Sequence, residues 1–243
     1  GARRLDAILD LISPDPRVPF DARLLLAMLA DEGSVLEIQP AYGASLLTAL
    51  ARLGGRSVAI VANNPAIMAG AIDAAAAQKA ARFLAIADAF HLPVIFLTDN
   101  PGVLPGSASE QAGALRHAAR LFAMQHRLQG PKLHVTLRKA FGFGSSIMAM
   151  NPFDNQTLSL AFPAISLGAM PADSGADAAK LSDAEKREAI GRQTGAAWEM
   201  AHKLAYDDVI DPRDLRNALL SGLALIRGRT AAEGPAARIG ILP

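Results

Sequence analysis

Hydrophobic residues along this chain follow two alternating spacings, one typical of helices and the other of buried strands. In the first hundred residues the pattern predicts a helix over residues 22–30, strands over 46–53 and 57–62, a helix from 74 to about 91, and a strand over 94–97. Asp21 is a suitable N-cap for the first helix, and Gly54-Gly55 places a hairpin turn between the first two strands.

The rest of the chain continues the alternation. A loop rich in proline and glycine over residues 98–106 precedes a predicted helix over 109–127, a strand over 133–137, and two apolar runs at 157–162 and 164–167. Ser182 and Glu185 have capping-box spacing, and Asp211-Pro212 begins a further helix. This order predicts an α/β fold. Residues 1–243 are interpreted as a single domain, with residues 230–243 as a flexible tail.

Composition excludes several classes of function. The net charge is +1 and basic residues are interspersed with acids, so nothing indicates a nucleic-acid partner. No apolar run approaches the length of a membrane span, and the chain contains no cysteine for disulfides, thiolate nucleophiles or Cys-ligated metals. The N-terminus lacks an initiator Met and a signal-peptide core, which suggests a processed or excised product. We expect a cytoplasmic location.

The segment with the clearest chemical meaning is the glycine-bearing turn over residues 139–146. It follows the strand at 133–137 and leads into the apolar residues 147–150. A strand-to-helix turn of this kind can leave backbone N–H groups free to hydrogen-bond an oxygen that gains negative charge. Gly142, Phe143 and Gly144 are therefore the predicted oxyanion-stabilising residues.

Ordered matches across the middle of the chain resemble the carboxyltransferase component of biotin-dependent acyl-CoA carboxylases. In chain order, the matching segments are Ile60-Val61-Ala62-Asn63-Asn64-Pro65, Ala69-Gly70, Asp73, Gln78-Lys79-Ala80-Ala81-Arg82-Phe83, Asp88-Ala89-Phe90, Pro93-Val94, Asp99, Pro101-Gly102, Leu104-Pro105-Gly106, Pro131-Lys132, Arg138-Lys139-Ala140-Phe141-Gly142, Leu160-Ala161-Phe162-Pro163 and Met170. The resemblance implies a crotonase-like (ClpP/crotonase) fold of stacked β-β-α units, and this chain resembles the carboxyl-terminal half of the enzyme.

In that family the amino-terminal half holds the CoA thioester and the carboxyl-terminal half receives carboxybiotin. The resemblance thus implies carboxyl transfer between carboxybiotin and an acyl-CoA, with biotin as cofactor and no metal. It also implies an oligomer with a CoA-binding carboxyltransferase half, a biotin carboxyl carrier and a biotin carboxylase as partners. The residues that it places at the cofactor are Asp99, Pro101, Gly102, Arg138, Ser145 and Ser146.

Charge dictates the implied mechanism. The enolate of the acyl-CoA and the ureido oxygen of biotin each need hydrogen-bond donors placed in advance, and the turn at residues 142–144 would polarise the biotin carbonyl. A side-chain base is unnecessary, because the ureido nitrogen can take the proton once the carboxyl group has left. Arg138 and Lys139 either meet an anionic carboxyl group or lie on the surface.

The sequence also departs from the family around the site. Phe143 stands where propionyl-type members carry a small residue, Ser145 and Ser146 replace a tyrosine and an acidic residue, and Pro171 follows Met170. One alternative is a non-catalytic assembly subunit in which Phe143 blocks the biotin pocket. A second is a crotonase-like acyl-CoA hydratase or hydrolase, although no carboxylate pair is evident. The five histidines show no ligand spacing, and we expect structural or solvated positions for all of them.

Overall fold

The computed structural model of the chain describes residues 1–150, 156–171, 180, 182–193 and 195–226. The helices are α1 (Ile8–Leu11), α2 (Ala22–Leu29), α3 (Ala74–Ala89), α4 (Ser107–Gln111), α5 (Ala114–Arg127), α6 (Gly142–Ile147), α7 (Asp183–Gln193), α8 (Ala196–His202) and α9 (Leu215–Leu225), with 3₁₀ turns at Met68–Gly70 and Pro212–Asp214. The strands are β1 (Leu36–Glu37), β2 (Leu46–Leu53), β3 (Arg56–Asn63), β4 (Val94–Asn100), β5 (Lys132–Phe141), β6 (Leu158–Ala161), β7 (Ser166–Gly168) and β8 (Asp208–Val209).

These strands form an eight-stranded sheet in the order β1-β2-β3-β4-β5-β6-β8, and β7 pairs with the carboxyl-terminal part of β5. The pairs β1-β2 and β2-β3 are antiparallel, and the predicted Gly54-Gly55 hairpin joins the latter. From β3 onward every pair is parallel. The sheet therefore starts as a hairpin meander and continues as parallel strands separated by helices.

Helices cover both faces of the sheet, which explains why β4 and β5 are buried along their whole length. On one face the core includes residues of α1, α2 and α9. On the other face α3 and α5 pack over β3 and β4, and buried alanines such as Ala76, Ala77, Ala80 and Ala118 allow these helices to approach closely. The predicted apolar stripe of α3 is confirmed, since Ala80, Phe83, Leu84 and Ala87 are all buried.

Three predicted boundaries were wrong. Strand β4 continues to Asn100 and β5 to Phe141, whereas a loop from residue 98 and a turn from residue 139 were expected. Ion pairing keeps the polar residues buried at these strand ends, and β7 pairs with the end of β5. The helix expected over 109–127 is two helices, because Gly113 adopts the left-handed conformation between them.

Two other expectations concern the ends of the chain and the membrane. The tail predicted at residues 230–243 lies outside the described residues. Within the described residues, no helix combines the length and apolar character that crossing a bilayer requires.

Candidate active site

Polar residues cluster where three parallel strands end. The carboxyl ends of β3, β4 and β5 bring together Asn63, Asp99, Asn100, Arg138 and Lys139. The pairing between β4 and β5 is irregular here, because Thr98 pairs with Thr136 but Asn100 pairs with Ala140. The irregularity adds residues to β5 and redirects its side chains, as bulges beside functional sites often do.

Asp99 is the centre of a buried ion-pair cluster. Its side chain is fully buried, the Arg138 Nε lies 2.7 Å from Oδ2, and the Lys139 Nζ lies 3.5 Å from Oδ1. Burial raises the pKa of the Asp99 carboxyl, while the Lys139 ammonium and the Arg138 guanidinium oppose that rise. The Asp99 carboxyl is therefore paired with two basic residues of this chain. Its side chain has no exposed surface with which to contact a cofactor.

Arg138 and Lys139 also fix the segment at residues 13–18. The Arg138 Nη1 donates to the carbonyls of Ser13, Asp15 and Val18, at 3.3, 3.1 and 2.7 Å, and its guanidinium lies 4.9 Å from the ring centroid of Phe20. The Lys139 Nζ donates to the Pro16 carbonyl at 3.2 Å. Surface exposure, one of the two expectations for these cations, is thereby excluded, since Arg138 is 2% and Lys139 9% exposed.

Two buried asparagines shape the adjoining loop. The Asn63 Oδ1 accepts from the backbone N–H of Asp99 and from the Asn100 amide, and the Asn63 Nδ2 donates to the Gly70 carbonyl at 3.0 Å. The Asn100 Oδ1 in turn accepts from the N–H of Gly102 at 2.9 Å. These amides link the loops that follow β3 and β4, so the position of Gly102 is set by side chains from two strands.

The predicted glycine turn is the junction between β5 and α6. Helix α6 begins at Gly142, which has a φ of 55° that favours glycine. Gly144 packs against the loop after β4: a Cβ on it would lie 2.7 Å from the Gly102 Cα and would also meet the Asn100 Oδ1. No side chain fits at this contact, so the first turn of α6 can lie directly against Gly102.

Two backbone amide groups at the start of α6 are candidates for the predicted oxyanion-stabilising donors. The first N–H groups of an α-helix have no intrahelical acceptor. In the described part of the chain, the N–H groups of Phe143 and Gly144 do not donate to a loop, a turn or a capping side chain. Ser145 contributes differently, because its hydroxyl donates to the Gly142 carbonyl at 2.6 Å and is used within the turn.

Phe143 lies on the outer side of this turn. Its ring packs against Phe122 of α5, with centroids 5.5 Å apart and planes tilted by 56°, and the residue is 37% exposed. Phe122 also stacks with His126 at 6.3 Å. The bulky residue is therefore held against α5 by aromatic contacts.

A cavity of about 770 Å³ opens next to the ion-pair cluster. Pro101, Lys139 and Phe141 line it, together with residues 14–17, Pro19 and Ser166 of β7. Its walls include Pro14, Pro16, Pro19, Pro65, Pro101 and Pro171, whose rigid rings give a fixed shape.

The structure thus separates the predicted residues into two sets. Gly102 and the start of α6 form a backbone-lined corner, and Pro101 opens onto the cavity. Asp99 and Arg138 lie beneath as support, and Ser146 lies within α6. Sequence reasoning missed Asn63 and Asn100 as organising residues. Their position just where two parallel strands end was the available signal, since sites on parallel sheets form at that edge.

The chain resembles known proteins along nearly its whole length. Residues 2–236 match the family model described as the carboxyl transferase domain. The chain is 35% identical over 245 residues to the methylmalonyl-CoA carboxyltransferase 12S subunit of Propionibacterium freudenreichii subsp. shermanii, covering 96% of this chain and 46% of that protein. It is 32% identical to the propionyl-CoA carboxylase beta chain of Roseobacter denitrificans, covering 93% and 46%.

Solved structures agree with these sequence matches. Transcarboxylase 12S, a hexamer determined with methylmalonyl-coenzyme A and methylmalonic acid bound, superposes with a TM-score of 0.88 at 32% identity, over 100% of this chain and 48% of that one. The beta subunit of Pseudomonas aeruginosa geranyl-CoA carboxylase, at 22% identity and a TM-score of 0.83, shares the fold. The chain spans about half the length of the curated relatives it matches, and the predicted crotonase-like fold and carboxyl-terminal half are confirmed.

Proposed function

Because this chain belongs to the carboxyl transferase domain family, we propose that it supplies the biotin-side half of a site for carboxyl transfer between carboxybiotin and an acyl-CoA. The other half would bind the CoA thioester. The start of α6 carries this proposal, because the backbone N–H groups of Phe143 and Gly144 belong to its first turn, where helix amides lack intrahelical acceptors, and that turn packs on Gly102 without room for a side chain.

The residues at this corner fit a neutral carbonyl that becomes an oxyanion. The N–H groups of Phe143 and Gly144 donate hydrogen bonds to that oxygen, and Gly142 permits the turn that aims them. When bound, biotin brings the carboxyl group and a ureido nitrogen that takes up the proton. The protein holds its donors fixed in advance, so little reorganisation is needed as charge develops.

The buried cluster beneath the corner acts by support. Arg138 and Lys139 tie residues 13–18 over the ends of the strands, and Asp99 offsets part of their charge. Lys139 also reaches the cavity beside Pro101 and Phe141, so positive charge lies close to a space that an anionic carboxyl group can approach. We assign Pro101, Gly102 and Lys139 to the cofactor side, and Asp99 and Arg138 to the scaffold.

The position of Phe143 argues against a pocket blocked by its ring. The ring lies on Phe122 of α5, where aromatic contacts hold it. A hydratase or hydrolase has less support, because such enzymes need a carboxylate near the thioester and Asp99 is engaged by two cations. Carboxyl transfer therefore accounts best for this arrangement.

The proposal includes partners. The relatives are subunits of biotin-dependent carboxylases or of transcarboxylase, and the 12S structure is a hexamer. We propose that this chain works in an oligomer with a CoA-binding carboxyltransferase half, a biotin carboxyl carrier and a biotin carboxylase. The cytoplasmic location stays a prediction.

Reconstitution tests the proposed function. The complete protein, with its CoA-binding half and a biotinylated carrier, should transfer labelled carboxyl from carboxybiotin to a short acyl-CoA such as propionyl-CoA. Omitting either half should abolish transfer. Turnover by this chain alone, or acyl-CoA hydration or hydrolysis in place of transfer, would contradict the proposal.

A further inference from the structure

A second buried polar group on β5 plays no part in the chemistry described so far. His134, Thr136 and Tyr206 are 0%, 0% and 3% exposed. The His134 Nδ1 lies 2.8 Å from the Met148 carbonyl oxygen, its Nε2 lies 2.8 Å from the Thr136 Oγ1, and that oxygen lies 2.8 Å from the Tyr206 hydroxyl. The rings of His134 and Tyr206 are stacked, with an interplanar angle of 17°.

The direction of each hydrogen bond in this chain follows from its end points. A carbonyl oxygen accepts but cannot donate, so the His134 Nδ1 must carry the proton that faces Met148. Burial lowers the pKa of His134 to about 4, so the ring is neutral at ordinary pH and its Nε2 must accept from Thr136. Thr136 therefore accepts from the Tyr206 hydroxyl, whose single hydrogen then cannot also go to the Met150 Sδ, a weaker acceptor 3.5 Å away. The chain runs from Tyr206 through Thr136 and His134 to Met148 and has a fixed polarity.

Met148 is the C-cap residue of α6 and directly follows its last residue, Ile147. Its carbonyl is among those that a helix C-terminus leaves without an intrahelical donor, and His134 satisfies it. The next residue, Ala149, has a φ of 62°, a left-handed conformation that costs a non-glycine residue roughly 1–2 kcal/mol. Ala149 is thus held in a strained conformation directly after the Met148 carbonyl to which His134 donates.

Helix α6 is therefore anchored at both ends. Gly144 lies against Gly102 at its start, and His134 holds Met148 at its end. A helix of six residues is roughly 9 Å long. Over so short a distance, movement at one end displaces the other end by a similar amount. Displacements of about 1 Å at reacting groups cost on the order of a hundredfold in rate.

We propose that His134 is a positioning residue, which sets the location of α6 and so aims the Phe143 and Gly144 N–H groups at the biotin carbonyl. This inference rests on the proposed function. It makes Tyr206, from the segment between α8 and β8, part of the same device, because Tyr206 and Thr136 fix the ring orientation of His134.

The matched pair of variants is His134→Asn and His134→Leu. The asparagine amide nitrogen occupies the place of Nδ1 and can still donate to Met148, whereas leucine has a similar size but no donor. In the reconstituted transferase, H134L should lower kcat by roughly 10- to 100-fold without changing the KM for acyl-CoA. H134N should stay within a few fold of the native enzyme. Equal losses in the two variants, or a loss confined to KM, would overturn the proposal.

A second measurement separates this inference from the proposed function. In amide NMR spectra of the complete protein, H134L should shift the Phe143 and Gly144 resonances and H134N should restore them. Imidazole ¹⁵N shifts should show the Nδ1–H form of His134, with exposed His202 as the control. Unchanged Phe143 and Gly144 resonances in H134L would refute positioning, even if carboxyl transfer were observed. Absence of transfer by the native protein would instead refute the proposed function.

Discussion

Strand β5 carries two buried polar networks that differ in charge and in what they hold. The one at its carboxyl end is ionic: Arg138 and Lys139 pair with Asp99 and donate hydrogen bonds to backbone carbonyls within residues 13–18. The other, at the middle of the strand, is neutral and links His134 and Thr136 to Tyr206. The ionic network fixes loops over the strand ends, and the neutral one fixes the end of α6.

This difference separates two ways of supporting a site that is made of backbone. A buried charge needs several partners at once, so the ionic network joins segments that are distant in the chain. Loss of one member leaves an uncompensated buried charge and destabilises the whole network. A neutral chain gives weaker bonds with defined direction, and it can orient a single helix. Neither network supplies a group that reacts.

The largest expected effect comes from removing Arg138. Arg138→Met should lower the free energy of unfolding by about 3–5 kcal/mol, because it leaves the buried Asp99 carboxylate with Lys139 as its remaining cation. The variant also removes the donor that hydrogen-bonds the carbonyls of Ser13, Asp15 and Val18. Urea denaturation measures this loss. Lys203→Met is the control, since Lys203 pairs with Glu199 on the surface and should show no resolvable change. Similar losses in the two variants would remove the distinction between buried and surface charge here.

The neutral network should make the free energy of unfolding depend on pH. The pKa of His134 falls from 6.5 to about 4 on folding, so between these values the unfolded state binds a proton that the native state does not. Stability should therefore decrease as the pH falls from about 6.5 to about 4, by roughly 3 kcal/mol in all from this residue. Carboxylates titrate in both the native protein and H134N over this window, so their contribution cancels when the two are compared. The slope of unfolding free energy against pH should therefore differ between the two proteins. Parallel curves would show that His134 is not held neutral.

Local patterns were sufficient for much of the fold. The Gly54-Gly55 hairpin, the N-cap at Asp21 and the apolar stripe of α3 were predicted because neighbouring residues decide them. The ends of β4 and β5 were not predicted, since Asp99 and Arg138 look like loop residues until their ion pair is known. Burial of charge depends on a partner from another strand, which no local pattern reveals.

The candidate site divides in the same way. The glycine turn was evident in the sequence because Gly142 and Gly144 are needed where the chain turns and packs closely. His134 was expected to be structural or solvated. Its hydrogen-bonded network could not be predicted, because Tyr206 lies 70 residues beyond Thr136 in the chain and meets it through folding alone.

The central claim is that backbone N–H groups at the start of α6 stabilise the oxyanion on biotin, and comparing Phe143→Pro with Phe143→Ala tests it most directly. Proline is tolerated in the first turn of a helix and removes the N–H, whereas alanine removes the ring and keeps the N–H. In the reconstituted transferase, F143P should lower kcat by about a hundredfold or more while F143A retains activity close to native. Equal activity of F143P and F143A in folded, assembled enzyme would contradict the account.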